Sequence, residues 1–345
     1  MYIFLFFHPL QSNALSDSAI VDRYDALAAS VQRHGYGLLY TVYSDSEEQV
    51  KNFLYLAVAS AASYRLHSAR LRIALAISHP KLLPSSHPFT DVVTLPSAIV
   101  FPGRQWRTRI IALGLSPFQV TLAVDSDTFG CGDLTEALQK LHAAADFDLA
   151  ANGHHPLGRG NVDAIGDWFP DLGVLLYRWS PGFRSLRRAW LLVQLQQERD
   201  TDNRDDQGTL QQAVYKTADT RVAVGRLTTA MSCRLRPTPH AYGGGVWSWT
   251  NTKHWETMLL TSKVYVLHMN GGVFFASQIC ELVNRNASTP RVLTYVNDMT
   301  MNQGQLRFES FRLAFDWQTC NRQLGGNCSP EIAFHTTEHL VTGTY

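Results

Sequence analysis

The stretch Val120-Thr121-Leu122-Ala123-Val124-Asp125-Ser126-Asp127-Thr128 decides how this chain is read: a nearly all-apolar run delivers two carboxylates, one residue apart, at its carboxyl end. An apolar run of this length bounded by polar residues predicts a strand buried on both faces. Just before it, Gln105 to Leu115 has helical character and stops at Ser116-Pro117, and just after it Leu134 to Ala145 is helical again. Further upstream, Tyr36 to Ser44, Leu71 to Ser78 and Asp91 to Leu95 read as strands. Between the first two, Ser46 and Gln49 form a capping-box pattern ahead of apolar residues at Val50, Phe53, Leu54, Ala57, Val58 and Ala61. Strand and helix alternate, so the predicted fold class is α/β with a mostly parallel, Rossmann-like sheet flanked by helices. Ligands of such sheets bind beyond the carboxyl ends of the strands, which is where Asp125 and Asp127 fall.

Downstream, Asp148 to Ala151 and Leu172 to Arg178 read as strands, with a long Gly-, His- and Asn-rich loop from Asn152 to Pro170. Phe183 to Glu198 and Gln207 to Tyr215 read as helices, and Lys263 to His268 as a strand ending in a histidine. The last sixty or so residues show weak periodicity. The organisation expected is an N-terminal segment (1–35), one catalytic domain (36–284) and a C-terminal extension (285–345).

Composition narrows the classes. The 345 residues carry 30 Lys+Arg against 29 Asp+Glu and are 45% hydrophobic but only 17% charged. Compositional disorder is excluded, and nothing marks a basic surface for nucleic acid, so no nucleic-acid partner is expected. No run approaches the roughly 18 apolar residues of a membrane span. Met1 to Leu10 lacks a basic stretch and a small-residue cleavage site, and reads as a buried strand or packed terminal segment. The five cysteines contain no CxxC pair, which argues against a zinc ribbon. Cys320 and Cys328 could pair in an oxidising compartment, where the sequons at Asn286 and Asn327 would also matter. The compartment is left as the secretory lumen if the gene start carries an anchor, and the cytoplasm otherwise.

Two carboxylates at a strand end suggest a hard divalent cation, because burying bare carboxylates is costly unless they are paired or bind metal. Mn²⁺ and Mg²⁺ take oxygen ligands and leave positions for phosphate oxygens. On the triplet alone, a solvated Asx turn stays open.

The longer pattern resembles a known family. The run from Arg109 to Thr128, with Ser116-Pro117-Phe118 before the strand and Asp125-Ser126-Asp127-Thr128 after it, is similar to the signature of GT-A glycosyltransferases, glycogenin-like family-eight enzymes in particular. Phe169 to Tyr177, Asp205 to Gly208, Met231 to Arg234 and Val264 to Gly272 resemble further family elements in the same order. Asp171 and Ser232 depart from the family's asparagines.

The resemblance implies that Asp125, Asp127 and His268 hold the metal, with Asp125 also touching the ribose. It implies that Gly271 and Gly272 let the backbone approach the diphosphate, that Arg109 lies near diphosphate and sugar, and that Thr41 and Tyr43 lie near the base. Asp206 and Gln207 would face the donor sugar. The activity implied is metal-dependent transfer, with retention, from a nucleotide sugar (a UDP-sugar first) to a glycan, protein or small-molecule acceptor. The loop from Tyr242 to Trp249 is the expected acceptor contact. Two alternatives are an inactive GT-A domain that binds a nucleotide or glycan, and a haloacid-dehalogenase-type phosphatase. The latter wants its threonine two places after the second aspartate, whereas Thr128 follows Asp127 directly.

Overall fold

The computed structural model describes residues 16–101, 105–144, 147–154, 169–200, 206–217, 222–227, 231, 233–234, 252–260, 263–268, 280–281, 284, 291–302, 305–315, 335–337 and 341–343. Met1 to Leu10, the 242–249 loop, Gly271, Gly272, Asn286, Asn327, Cys320 and Cys328 lie outside them. The chain divides into two compact units, one of residues 1–126 and 133–227, the other of 127–132 and 228–345.

The first unit is built on a seven-stranded sheet. Its strands are β1 (Tyr36–Val42), β2 (Ile73–Ile77), β3 (Asp91–Thr94), β4 (Val120–Val124), β6 (Leu149–His154), β7 (Phe169–Arg178) and β8 (Val224–Arg226), in the order β3-β2-β1-β4-β7-β6-β8. β7 is antiparallel to both its neighbours, and every other neighbouring pair is parallel. This is the mostly parallel α/β sheet expected from the sequence. β6 and β7 reach further into the predicted loop than Ala151 and Leu172, because Asn152 to His154 pair with Asp171 to Phe169 beyond a register shift.

The helices are α1 (Asp17–Ala29), α2 (Glu47–His67), α3 (Gln105–Leu113), α4 (Thr135–Ala143), α5 (Pro181–Asp200) and α6 (Asp206–Lys216). Successive strand residues point to opposite faces, and the two faces are covered differently. On one, Leu39, Ala74, Ala76, Ala123 and Leu175 join a core with Val21 and Leu27 of α1, Ile110 and Ile111 of α3, Phe183 and Trp190 of α5 and Leu210 of α6. On the other, the Tyr40 hydroxyl meets Ser60 of α2 at 2.7 Å, and α4 also packs on β1 and β4. α2 starts as its sequence predicts, with the Ser46 hydroxyl accepting from the Gln49 amide. The reciprocal arm differs from a capping box: the Ser46 amide donates to the Ser44 hydroxyl oxygen, and the Ser44 hydroxyl donates to the Gln49 side chain.

One buried charge is integral to this core. Arg187 of α5 is fully buried and pairs with Asp25 of α1 at 2.7 Å. Its guanidinium lies so close to Gly114, just beyond α3, that a Cβ there would lie 2.7 Å from it, and glycine permits the close approach without displacing Arg187.

Among the described residues, the second unit contains two sheets. A small one joins β5 (Thr128–Gly130), β9 (Cys233–Arg234) and β11 (Val266–His268) in the order β5-β11-β9. A disulfide links Cys131 to Cys280, a pairing the sequence reading did not find. The other sheet joins β10 (Thr252–Leu260), β12 (Arg291–Asn302), β13 (Gln305–Phe315), β14 (His335–Thr337) and β15 (Val341–Gly343). β12 and β13, 12 and 11 residues long, pair antiparallel with a register shift at Asp298/Met299. The weak periodicity of the tail therefore conceals strands. Adjacent apolar pairs such as Val292-Leu293 and Tyr295-Val296 blur the alternation by which a half-buried strand is recognised. Among the described residues, no helix is long and apolar enough to cross a membrane.

Candidate metal and donor site

The site begins where β4 ends. The Asp125 amide donates to Gly173 O at 2.9 Å, extending the ladder between β4 and β7 by one bond past Val124. That bond fixes the backbone of the first carboxylate at the carboxyl edge of a buried strand. Its side chain, about a third exposed, receives an Arg109 N–H at 2.8 Å. Arg109 comes from α3 and is nearly buried; the other arm of its fork points to Asp206 at 3.4 Å, and the guanidinium also donates to Leu172 O. One planar guanidinium thus orients two carboxylates, a task suited to an arginine fork rather than a lysine.

Asp206 opens α6, where a carboxylate is favoured by the partial positive charge of the helix start. Its position is fixed by its backbone: the Trp190 indole N–H donates to Asp206 O at 3.2 Å, and the Thr209 hydroxyl donates to the same oxygen at 3.0 Å. Gln207, next on α6, is half-buried. Thr41 sits half-buried on β1 with Ala76 as its Cα partner in β2. Tyr43, just past β1, has its phenol pushed well above the ordinary range by burial; Arg109 counters that rise, while Asp206 and Asp125 add to it. Arg109, Asp125, Asp206 and Tyr43 therefore share one electrostatic neighbourhood.

Asp127 and His268 are set together by the small sheet. β5 starts at the residue after Asp127, and its antiparallel register places Thr128 directly across from His268. The His268 Nε2 lies 3.3 Å from Asp127 Oδ1, with the imidazole 3% exposed. On the other side of β11, His268 is the Cα partner of Arg234 in β9. One ligand atom from each of Asp125, Asp127 and His268 lies within 4.8 Å of the others. Two carboxylates and a buried imidazole form a donor set of the kind that Mn²⁺ or Mg²⁺ accepts, with oxygen predominating. The donor chemistry fits a divalent cation.

Of the residues singled out from sequence, the structure gathers Asp125, Asp127 and His268 into one group and Arg109, Asp125, Asp206 and Tyr43 into another, with Asp125 common to both. Gly271 and Gly272 lie outside the described residues. The partnership of Arg109 with Asp206 was not read from sequence, since 97 residues separate them and no local pattern connects them.

No protein-family model matches the chain, and no curated protein does either. Among solved structures it is similar to the apo form of mouse xyloside xylosyltransferase 1, with a TM-score of 0.43, 12% identity, and coverage of 69% of this chain and 98% of that one. It is also similar to the glycosyltransferase GlyE of Streptococcus pneumoniae TIGR4, with a TM-score of 0.38, 14% identity, and coverage of 58% of this chain and 47% of that one. The apo form of GlyE gives a TM-score of 0.37 and 16% identity over the same shares. The chain spans about half the length of GlyE.

Proposed function

We propose that this chain is a metal-dependent glycosyltransferase that takes a sugar from a nucleotide-sugar donor, a UDP-sugar first, and passes it to an acceptor oxygen with retention. The observation that carries the reading is the approach of His268, from a strand more than a hundred residues downstream, to within 3.3 Å of Asp127, with Asp125 completing the group. In this reading Asp125, Asp127 and His268 hold Mn²⁺ or Mg²⁺. Held there, a divalent cation would supply positive charge toward the departing diphosphate. Arg109 keeps the Asp125 carboxylate oriented and adds positive charge beside it. Asp206, fixed by Trp190 and Thr209, and Gln207 accept hydrogen bonds from the hydroxyls of the donor sugar. Thr41 and Tyr43 line the side on which the base lies. The bond between the anomeric carbon and the diphosphate breaks, the nucleoside diphosphate keeps the electron pair, and the acceptor oxygen bonds the carbon and gives up its proton to a departing phosphate oxygen. The Cys131–Cys280 disulfide supports folding in an oxidising compartment, the secretory branch of the two expected locations.

The test is a thermal-shift screen of nucleotide sugars with and without Mn²⁺. Ligand linkage at a hundredfold excess over Kd stabilises by about 2.7 kcal/mol, so the donor should stand out, and only with metal. Asp127→Ala should abolish that shift and all Mn²⁺-dependent donor hydrolysis while the metal-free melting temperature stays within a few degrees. A wild-type protein that no nucleotide sugar stabilises overturns the reading. Phosphate release without any dependence on a nucleotide sugar supports the phosphatase, and stable binding without turnover the inactive module.

A further inference from the structure

The ladder that sets Asp127 against His268 is only three residue pairs long, from Val266↔Gly130 at one end to His268↔Thr128 at the other. Register in so short a pair is weakly held, and a slip of one residue would turn His268 to the opposite face. Val266, Leu267 and His268 are all buried, so burial marks neither face of β11 and does not by itself choose a register.

Directional contacts converge on the end of the pair away from the two ligands. Leaving β5, the Cys131 amide donates to Tyr265 O at 2.8 Å. The Asn284 carboxamide spans both strands: Nδ2 donates to Cys131 O at 3.2 Å and to Val264 O at 3.0 Å, and Oδ1 accepts from the Val264 amide at 2.7 Å. Four residues earlier, Cys280 is bonded to Cys131. Cys280, Glu281 and Asn284 are each helical. Cys280 and Asn284 thus grip the exit of β5 through a covalent bond and the entry of β11 through hydrogen bonds. Those are the two strands that bring Asp127 and His268 together.

We propose that the Cys131–Cys280 disulfide and Asn284 are positioning residues for the candidate cation site: they hold the β5–β11 register and so set the affinity for metal. The inference rests on the reading of Asp125, Asp127 and His268 as metal ligands. It makes metal affinity sensitive to reduction. With a water-soluble trialkylphosphine, the S–S bond breaks, two electrons pass from phosphorus to the sulfurs, water supplies two protons to give two thiols, and its oxygen ends on phosphorus as the phosphine oxide.

The experiment titrates Mn²⁺ alone into the full chain and counts free ion by its paramagnetic resonance signal, below the onset of melting, with near-ultraviolet circular dichroism reporting the fold. Four samples are compared: oxidised wild type, wild type reduced by the phosphine and desalted, Cys131→Ser with Cys280→Ser, and Asn284→Ala. The expected result is a rise in Kd of about tenfold in each altered protein while it remains folded. A staple with no positioning role would lower the melting temperature and leave that Kd where it was, which overturns the inference. Should reduction or the double substitution prevent folding, Asn284→Ala with the disulfide intact decides by the same criterion. Oxidised wild type that binds no Mn²⁺ overturns the metal reading itself; binding that is indifferent to reduction and to Asn284 overturns only the positioning role.

Discussion

The two sheets that carry the candidate ligands are built in opposite ways. β4, which ends at Asp125, has all five residues buried and lies between β1 and β7 in a sheet packed with helices. β5 and β11, which set Asp127 and His268, have three residues each; β9 pairs with β11 at its His268 end, and an amide clasp and a disulfide lie at the other end. Area buried makes the first strong without depending on any one contact; the second depends on a few groups whose direction matters. The lesson is that stability of the chain and geometry of the cation site should be separable by mutation.

The largest stability effect tests that separation directly. Phe183 is fully buried and stacks on Tyr177 with ring centroids 4.3 Å apart. Truncating a buried phenylalanine costs about 3–5 kcal/mol, roughly 10 °C for a domain of this size. Phe183→Ala should show that loss in a thermal melt, yet bind Mn²⁺ at 20 °C with the wild-type Kd. A parallel loss of metal affinity would break the comparison, because the geometry of the site would then depend on the general stability of the large sheet.

Arg109→Lys should give a smaller loss of stability and sharpen the contrast from the other side. Lysine keeps the charge but cannot reproduce a fork that reaches both Asp125 and Asp206. Loss of one charge-assisted hydrogen bond costs about 1.5–3 kcal/mol, a fall of several degrees in melting temperature. Here metal affinity should fall with stability, severalfold by the same Mn²⁺ titration, because Asp125 loses the group that orients it. An unchanged Kd would mean that the end of β4 alone fixes that carboxylate.

The two regions also differed in how far they could be read from sequence. Val120 to Val124 announces itself because, Thr121 apart, a strand buried on both faces has no polar residue to dilute its pattern. The helices after it follow from apolar spacing and caps: α2 starts at the predicted Ser46, although Ser44 supplies the reciprocal arm of the cap. Asp125 and Asp127 stood out because they flank a single serine at the end of an apolar run, whereas His268 joined them only through the family resemblance. What holds Asp127 and His268 together was not legible. Cys131 and Cys280 are separated by 149 residues, and with five cysteines spacing cannot choose the pair. Asn284 carries no local signal, since its value lies in reaching two strands at once. The long antiparallel pair of β12 and β13 was hidden for a related reason: pairing between strands supplies the order that the periodicity of neither strand advertises.

The smallest effect isolates one directional contact inside the large sheet. Tyr40 of β1 and Ser60 of α2 are both fully buried, with their hydroxyls 2.7 Å apart, and the Tyr40 ring meets Phe89 edge-on at 5.9 Å. Tyr40→Phe keeps the ring and its packing and deletes one hydroxyl. In the unfolded chain that hydroxyl bonds to water, so its net contribution to stability is only about 0.5–1.5 kcal/mol, or about 1–6 °C. β1 is held by β2 and β4 along most of its length, and its register does not depend on this bond. The Mn²⁺ Kd should therefore be unchanged. Asn284→Ala likewise removes directional polar contacts, but at a three-residue ladder, and there the loss should appear as weakened metal binding. If the two substitutions act alike on Kd, the distinction between a sheet held by area and a sheet held by direction is wrong.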